Sequence, residues 1–168
     1  TRTFVYGVYN YTAKDDELQQ NLLEELEAHI METKRKDPKA ILFLIGDLNA
    51  QLKRNSSFTG RWCPQKRQNS AGDRLEHFLS AVGLKAANTY FQKNKKKLAS
   101  YLPMFVPNNV AVAHAENPRR TFYRTSDFIC CSDMRVIKDA SSTWTPSIMR
   151  FGRMFDHAAV FAKCTISG

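Results

Sequence analysis

The apolar run from Ala40 to Ile45 shows almost no alternation with polar residues, which marks a strand covered on both faces. No other segment constrains the fold as tightly. Ahead of it, Phe4 to Tyr9 has the β-branched and aromatic content of a strand. Between the two, Leu18, Leu22, Leu26 and Ile30 recur with Leu23 alongside, while Glu and Gln fill most other positions. That spacing predicts a surface helix over Asp16 to Lys36 with one buried stripe. Asp15 and Asp16 are candidate caps, Glu17 sits in the first turn, Lys34, Arg35 and Lys36 crowd the last, and Pro38 ends it. Strand, helix and buried strand in this order make an α/β layout.

A second helix is expected over Asp73 to Val82, burying Leu75, Phe78, Leu79 and Val82 and stopping at Gly83, a residue suited to a left-handed cap. Leu84 to Phe91, Phe128 to Cys131, Met134 to Ile137 and Ala158 to Cys164 read as further short strands. The 168 residues fit one domain, and no internal repeat is visible. No apolar stretch approaches the roughly 20 residues needed to cross a bilayer, so a soluble intracellular protein, nuclear or cytoplasmic, is expected without membrane partners. The chain starts at Thr1 without a Met and shows no signal-peptide pattern. The missing Met is consistent with part of a longer protein.

Lys and Arg number 25 against 16 acids, a formal charge of +9. Such an excess attracts polyanions, nucleic acid first among them, although an ordinary basic domain has the same composition. Cys63, Cys130, Cys131 and Cys164 form no CxxC pair and no zinc-finger spacing. Cys130 and Cys131, adjacent on one predicted strand, should point to opposite faces as buried free thiols. The four histidines are too scattered to suggest a metal cluster. The stretch from Gln92 to Arg120 contains Lys93, Lys95, Lys96 and Lys97, three prolines and the apolar group Tyr101 to Val106. A loop of that length is usually functional or disordered. Its lysines, with Arg119, Arg120 and Arg124, could grip phosphates while Tyr101 or Phe122 stacks on bases, or the segment is simply a solvated charged loop.

Two strand ends carry chemistry. Gly46-Asp47-Leu48-Asn49-Ala50 closes the buried strand, and in an extended segment Asp47 and Asn49 would project the same way. A carboxylate beside an amide suits phosphodiester attack, one orienting or deprotonating water and the other donating to a phosphoryl oxygen. The same pair also makes good turn residues. Asp156-His157 leads into the last predicted strand, where Asp can hold a divalent cation and His can polarise a phosphate oxygen. A capping Asp with a surface His is the commoner use of that dipeptide. Asp127 borders the apolar segment Phe128 to Cys131 and therefore calls for a partner. That partner is either His157, whose tautomer it would fix, or an arginine such as Arg124.

In this order and context the motifs resemble the endonuclease/exonuclease/phosphatase superfamily. Gly46-Asp47-Leu48-Asn49 resembles its GD-x-N strand end, Ser126-Asp127-Phe128-Ile129 the strand bearing its His-supporting aspartate, and Asp156-His157 its closing pair. Val8-Tyr9-Asn10-Tyr11-Thr12 is similar to its VY-x-P-T strand end, with Tyr11 in place of proline. The helix from Asp73 to Val82 followed by LKAANTYF, and the SDFICCS strand, look most like endonuclease domains of non-LTR (LINE-like) retrotransposons.

The resemblance implies the C-terminal portion of a four-layer α/β sandwich, two packed mixed sheets flanked by helices, with the N-terminal portion missing. Members normally draw an Asn and the principal metal-binding Glu from that earlier half. Glu17, Glu24, Glu25, Glu27 and Glu32 all belong to the first helix and do not substitute. By resemblance, Asp47 activates water and Tyr9, Asn49 and His157 stabilise the pentacovalent phosphorus. Asp127 orients His157, and Asp156 serves a metal, Mg²⁺ or alternatively Mn²⁺. DNA is the implied substrate, with a reverse transcriptase in the parent polyprotein. A non-catalytic nucleic-acid-binding remnant and a phosphatase of the same superfamily are the other readings. Strands lacking half of a two-sheet core should leave apolar faces exposed and favour association.

Overall fold

In the structure, a computed structural model, the chain is described for residues 1–11, 15–93, 100, 125–143 and 157–165. Strand β1 (Thr3–Tyr9) leads into helix α1 (Asp16–Lys36), which returns the chain to β2 (Ile41–Asp47), parallel to β1. Helix α2 (Ser70–Val82) is followed by the two-residue strand β3 (Lys85–Ala86) and by β4 (Asp127–Cys131), which runs antiparallel to both β2 and β3. The resulting mixed sheet has the order β1-β2-β4-β3, and β5 (Ile137–Thr143) pairs antiparallel with β6 (Ala159–Cys164) in a separate sheet.

The uninterrupted apolar character of β2 follows from its position. Leu42 and Leu44 point to one face, where they pack with Leu75, Leu79, Phe128 and Cys130 beneath the two helices. Ile41 and Phe43 point to the other, against Ile129, Cys131, Ile137 and Ala140 and the partly buried Val160. Cys130 and Cys131 thus fall on opposite sides of the sheet, both buried and reduced. Helices, mixed sheet and second sheet form successive layers. Among the described residues no helix is long and apolar enough to cross a membrane.

Both helices begin and end close to their expected limits. Asn69 caps α2, its side-chain oxygen accepting from Gly72 N–H, and Gly83 closes it in the left-handed conformation at φ 63°. The buried stripe of α1 is rotated from the expected one. Gln19, Leu23 and Ile30 are buried, Leu22 and Leu26 only half-buried, and Leu18 is exposed. The cause is Gln19, whose Nε2 donates to Tyr11 O (2.6 Å) and whose Oε1 accepts from Arg74 of α2 (2.7 Å). A polar residue that bonds to its neighbours takes the inward position as readily as a leucine.

Two expected strands are largely replaced by 3₁₀ turns. In place of a strand over Leu84 to Phe91, β3 stops at Ala86 and a turn spans Ala87–Thr89. Thr89 Oγ1 donates to Ala86 O (2.6 Å), while the Asn88 side chain bonds to both Asp127 O and Ile129 N–H (3.1 and 3.3 Å). One amide side chain occupies β4 groups that a longer β3 would have used. Met134–Val136 is likewise a turn, opened by Asp133 accepting from Arg135 N–H, and the strand follows it as β5.

Coverage of the mixed sheet is unequal. Phe4, Tyr6 and Val8 of β1 face the helices, but Val5 on the other side is 63% exposed. Along that side an open groove of about 380 Å³ runs between the sheets, lined by Val5, Phe43, Ile45, Ile129, Val160 and Phe161. Val5 and Phe161 give this groove exposed apolar surface of the kind expected.

Candidate active site

Parallel pairing places Tyr9 of β1 opposite Asp47 of β2, and antiparallel pairing places Asp127 of β4 opposite the same Asp47. Three candidate residues therefore share one rung at the end of the mixed sheet. Paired residues project to the same face, and alternation along β2 and β4 makes it the face towards the second sheet. His157 enters from immediately before β6. The site consequently lies at the mouth of the crevice between the sheets.

His157 Nδ1 is 2.9 Å from Asp127 Oδ2 and its Nε2 is 3.8 Å from Asp47 Oδ2. Both aspartates are buried, at 8% and 9% exposure, whereas the His157 side chain is one-third exposed. The two carboxylates and the imidazole each offer one ligand atom, all within 4.8 Å of one another. One histidine, His157, thus joins two acids that lie far from it in sequence. Burial raises the Asp47 pKa above its ordinary value. The charge of Asp127 adds to the rise, while the Asn49 N–H, His157 and the Ser126 hydroxyl oppose it.

Gly46 makes the approach to this site possible. Its φ is 152°, and a Cβ there would collide with the carbonyl oxygen of Val8 on β1. Only glycine lets β1 and β2 remain paired up to Tyr9 and Asp47. Beyond Asp47 the chain turns instead of continuing extended. Asn49 takes a left-handed φ of 46°, so it does not project beside Asp47 as an extended segment would require. Its N–H donates to Asp47 Oδ1 (3.0 Å) and its Nδ2 to Asn10 O (2.8 Å). The side chain thereby fastens the ends of β1 and β2 together. Tyr9 is 77% exposed on the shared rung.

Three positioning residues escaped the sequence reading. Asn10, almost fully buried, donates from its N–H to Asp47 O (2.8 Å) and from Nδ2 to Leu48 O (3.2 Å). Ser100 Oγ accepts from the N–H groups of Ser126 and Asp127, and its carbonyl accepts from Ala158 N–H at 2.7 Å. It ties the start of β4 to the residue after His157. Asn88 holds β4 from the other side. A polar residue at a strand end was a visible signal for Asn10, while nothing in its lysine-rich surroundings distinguishes Ser100. Asp156, Lys95, Lys96, Lys97, Arg119, Arg120 and Arg124, together with Tyr101 and Phe122, lie outside the described residues.

Comparison with protein-family models and with curated proteins finds no match to this chain.

Proposed function

We propose that this chain carries a metal-dependent phosphodiester hydrolase site, acting on DNA as an endonuclease of the retrotransposon type. The observation that supports it is the convergence of Asp47, Asp127 and His157 at one strand end, in the pairing that the motif order implies. The packed sheets with helices on the outer side of one are compatible with part of a four-layer α/β sandwich.

The chemistry follows from the geometry. Asp47 Oδ1 is held by Asn49 N–H, and its other oxygen faces the space shared with His157. A carboxylate so placed orients a water and takes its proton as the oxygen attacks phosphorus. His157, held at Nδ1 by Asp127, turns Nε2 towards the phosphoryl oxygens, where negative charge accumulates in the pentacovalent state. Tyr9, exposed on the same rung, supplies a further donor. Paired carboxylate oxygens suit Mg²⁺ or Mn²⁺, and two acids this close are the arrangement whose repulsion a cation relieves. Asp47 and Asp127, with Asp156, would hold it, and when bound it would neutralise charge on the scissile phosphate.

The test is nicking of supercoiled plasmid with Mg²⁺ by this chain and by Asp47→Ala. Conversion to open circles that falls about 10²–10⁴-fold in the variant is expected. Equal rates in the two proteins, or no nicking by folded wild type, would overturn the reading. Preferential cleavage of small phosphate esters would assign the site to a phosphatase.

A further inference from the structure

No Asp or Glu occurs between Asp47 and Asp73, yet Lys53, Arg54, Arg61, Lys66 and Arg67 all do, and all five are exposed. None forms an ion pair among the described residues, whereas Arg35, Lys36, Lys93 and Arg135 each have an acidic partner. This segment leaves the site directly from β2 and returns to α2.

It is held in a defined shape. Arg54 N–H donates to Gln65 O (3.0 Å), Arg54 Nη2 to Pro64 O (3.1 Å), and Lys53 N–H to Gln68 Oε1 (3.2 Å). These bonds bring Lys53 and Arg54 alongside Lys66 and Arg67, which are distant in the loop. Gly60 N–H donates to Thr89 Oγ1 (2.8 Å) and Trp62 N–H to Thr89 O (3.1 Å), fixing the far end on the turn after β3. Gln65 Nε2 donates to Thr125 O (3.1 Å), two residues before Asp127. The half-buried Trp62 carries the Arg61 guanidinium 4.9 Å from its ring centroid. The cations are thus anchored at both ends next to the strand termini that carry the carboxylates.

We infer that the loop between β2 and α2 is a nucleic-acid-binding surface that delivers the phosphodiester backbone to the adjacent site. The inference deepens the hydrolase reading by naming where the polymer lies. Cations drawn from three places in the loop, with an aromatic ring between them, match a ligand with phosphates repeated along a strand. A single small phosphate would need only one such point.

The experiment is fluorescence anisotropy with a labelled duplex DNA oligonucleotide in EDTA, so that binding is read without cleavage. Five Lys/Arg→Gln changes at Lys53, Arg54, Arg61, Lys66 and Arg67 are compared with five equal charge removals at Arg2, Lys36, Lys39, Lys85 and Lys138, away from the strand ends that carry the site. Circular dichroism and thermal melting verify that each variant is folded. Five phosphate contacts predict that wild type loses about 10²–10³-fold in affinity between 50 and 200 mM salt, and that the logarithmic salt slope falls by about 4 in the loop variant. The control set should keep most of that slope. Equal losses in both sets would make the effect one of net charge and overturn the proposal. So would unchanged binding in the loop variant, or loop-dependent binding to inositol hexakisphosphate or phosphatidylserine vesicles with none to DNA. Should Arg54→Gln disturb the loop, the variant retaining Arg54 carries the same comparison. Loop-dependent binding without any nicking would leave this surface standing and remove only the hydrolase reading.

Discussion

His157 Nδ1 lies 2.9 Å from Asp127 Oδ2, a contact between residues 30 apart in sequence that joins the mixed sheet to the start of β6. An aspartate in this position sets which ring nitrogen carries the proton and which way the other one points. Here the other nitrogen points at Asp47.

Asp127→Asn retains the shape of the pair and removes its charge. Plasmid nicking should fall about 10²–10⁴-fold, the range for disabling an acid–base group, with little change in DNA affinity. Nitrogen-15 spectra of His157 should show a changed tautomer distribution. Unaltered spectra and rates would mean that the contact orients nothing.

Asp47 links activity to stability with opposite signs. Its folded pKa is raised, chiefly by burial and then by Asp127, so the folded state favours the protonated acid. The stability held below the ordinary carboxylate pKa is lost as pH rises through the raised value. Asp47→Asn should therefore melt at a higher temperature than wild type at pH 7, with the difference vanishing as pH falls below about 4, while nicking falls about 10²–10⁴-fold. The acid limb of the wild-type rate profile should lie at higher pH than that of an unperturbed aspartate. Mn²⁺ or Mg²⁺ should raise the melting temperature of wild type more than that of Asp47→Asn. Identical melting curves at pH 7 would contradict the strained carboxylate.

Gly46→Ala forces a methyl group into the carbonyl of Val8. Urea unfolding should show a loss of about 1–3 kcal/mol, the usual cost of a backbone held in a disfavoured conformation. Nicking should fall too, because the rung that aligns Tyr9 with Asp47 has to part.

Thiol labelling should separate the cysteines. Burial pushes Cys63 and Cys131 up to about 11 and raises Cys130 further, whereas Cys164 is partly exposed at the end of β6. Native protein at pH 8 should react at Cys164 first, with the other three released only on unfolding. Equal reactivity at Cys130 would mean that the sheet does not cover it.

What could be read in advance was what local chemistry encodes. Helix α1 follows from a 3.6-residue apolar period with acids at one end and bases at the other, and α2 from its apolar face and Gly83. Strand β2 follows from a run too apolar for any exposed face. An amphipathic pattern is largely a property of the element itself, so the element survives translation into three dimensions even where its buried stripe rotates. The α1 stripe was misplaced where Gln19 found partners in Tyr11 and Arg74, contacts that no periodicity contains.

The motifs likewise named Asp47, Asp127 and His157 from the sequence, and the Asp127–His157 pair was one of two alternatives for Asp127. Tertiary structure alone decided their arrangement. Strand pairing put Tyr9, Asp47 and Asp127 on one rung, and Gly46 allowed the strands to close. The turn at Asn49 redirected its amide to Asn10, and Ser100 bound β4 to the residue beyond His157. Each of these depends on which distant backbone groups need a partner once the sheet has formed. A buried N–H or carbonyl left unpaired costs about 1–3 kcal/mol, so such residues are selected by the assembled fold and leave little trace in the pattern of the chain.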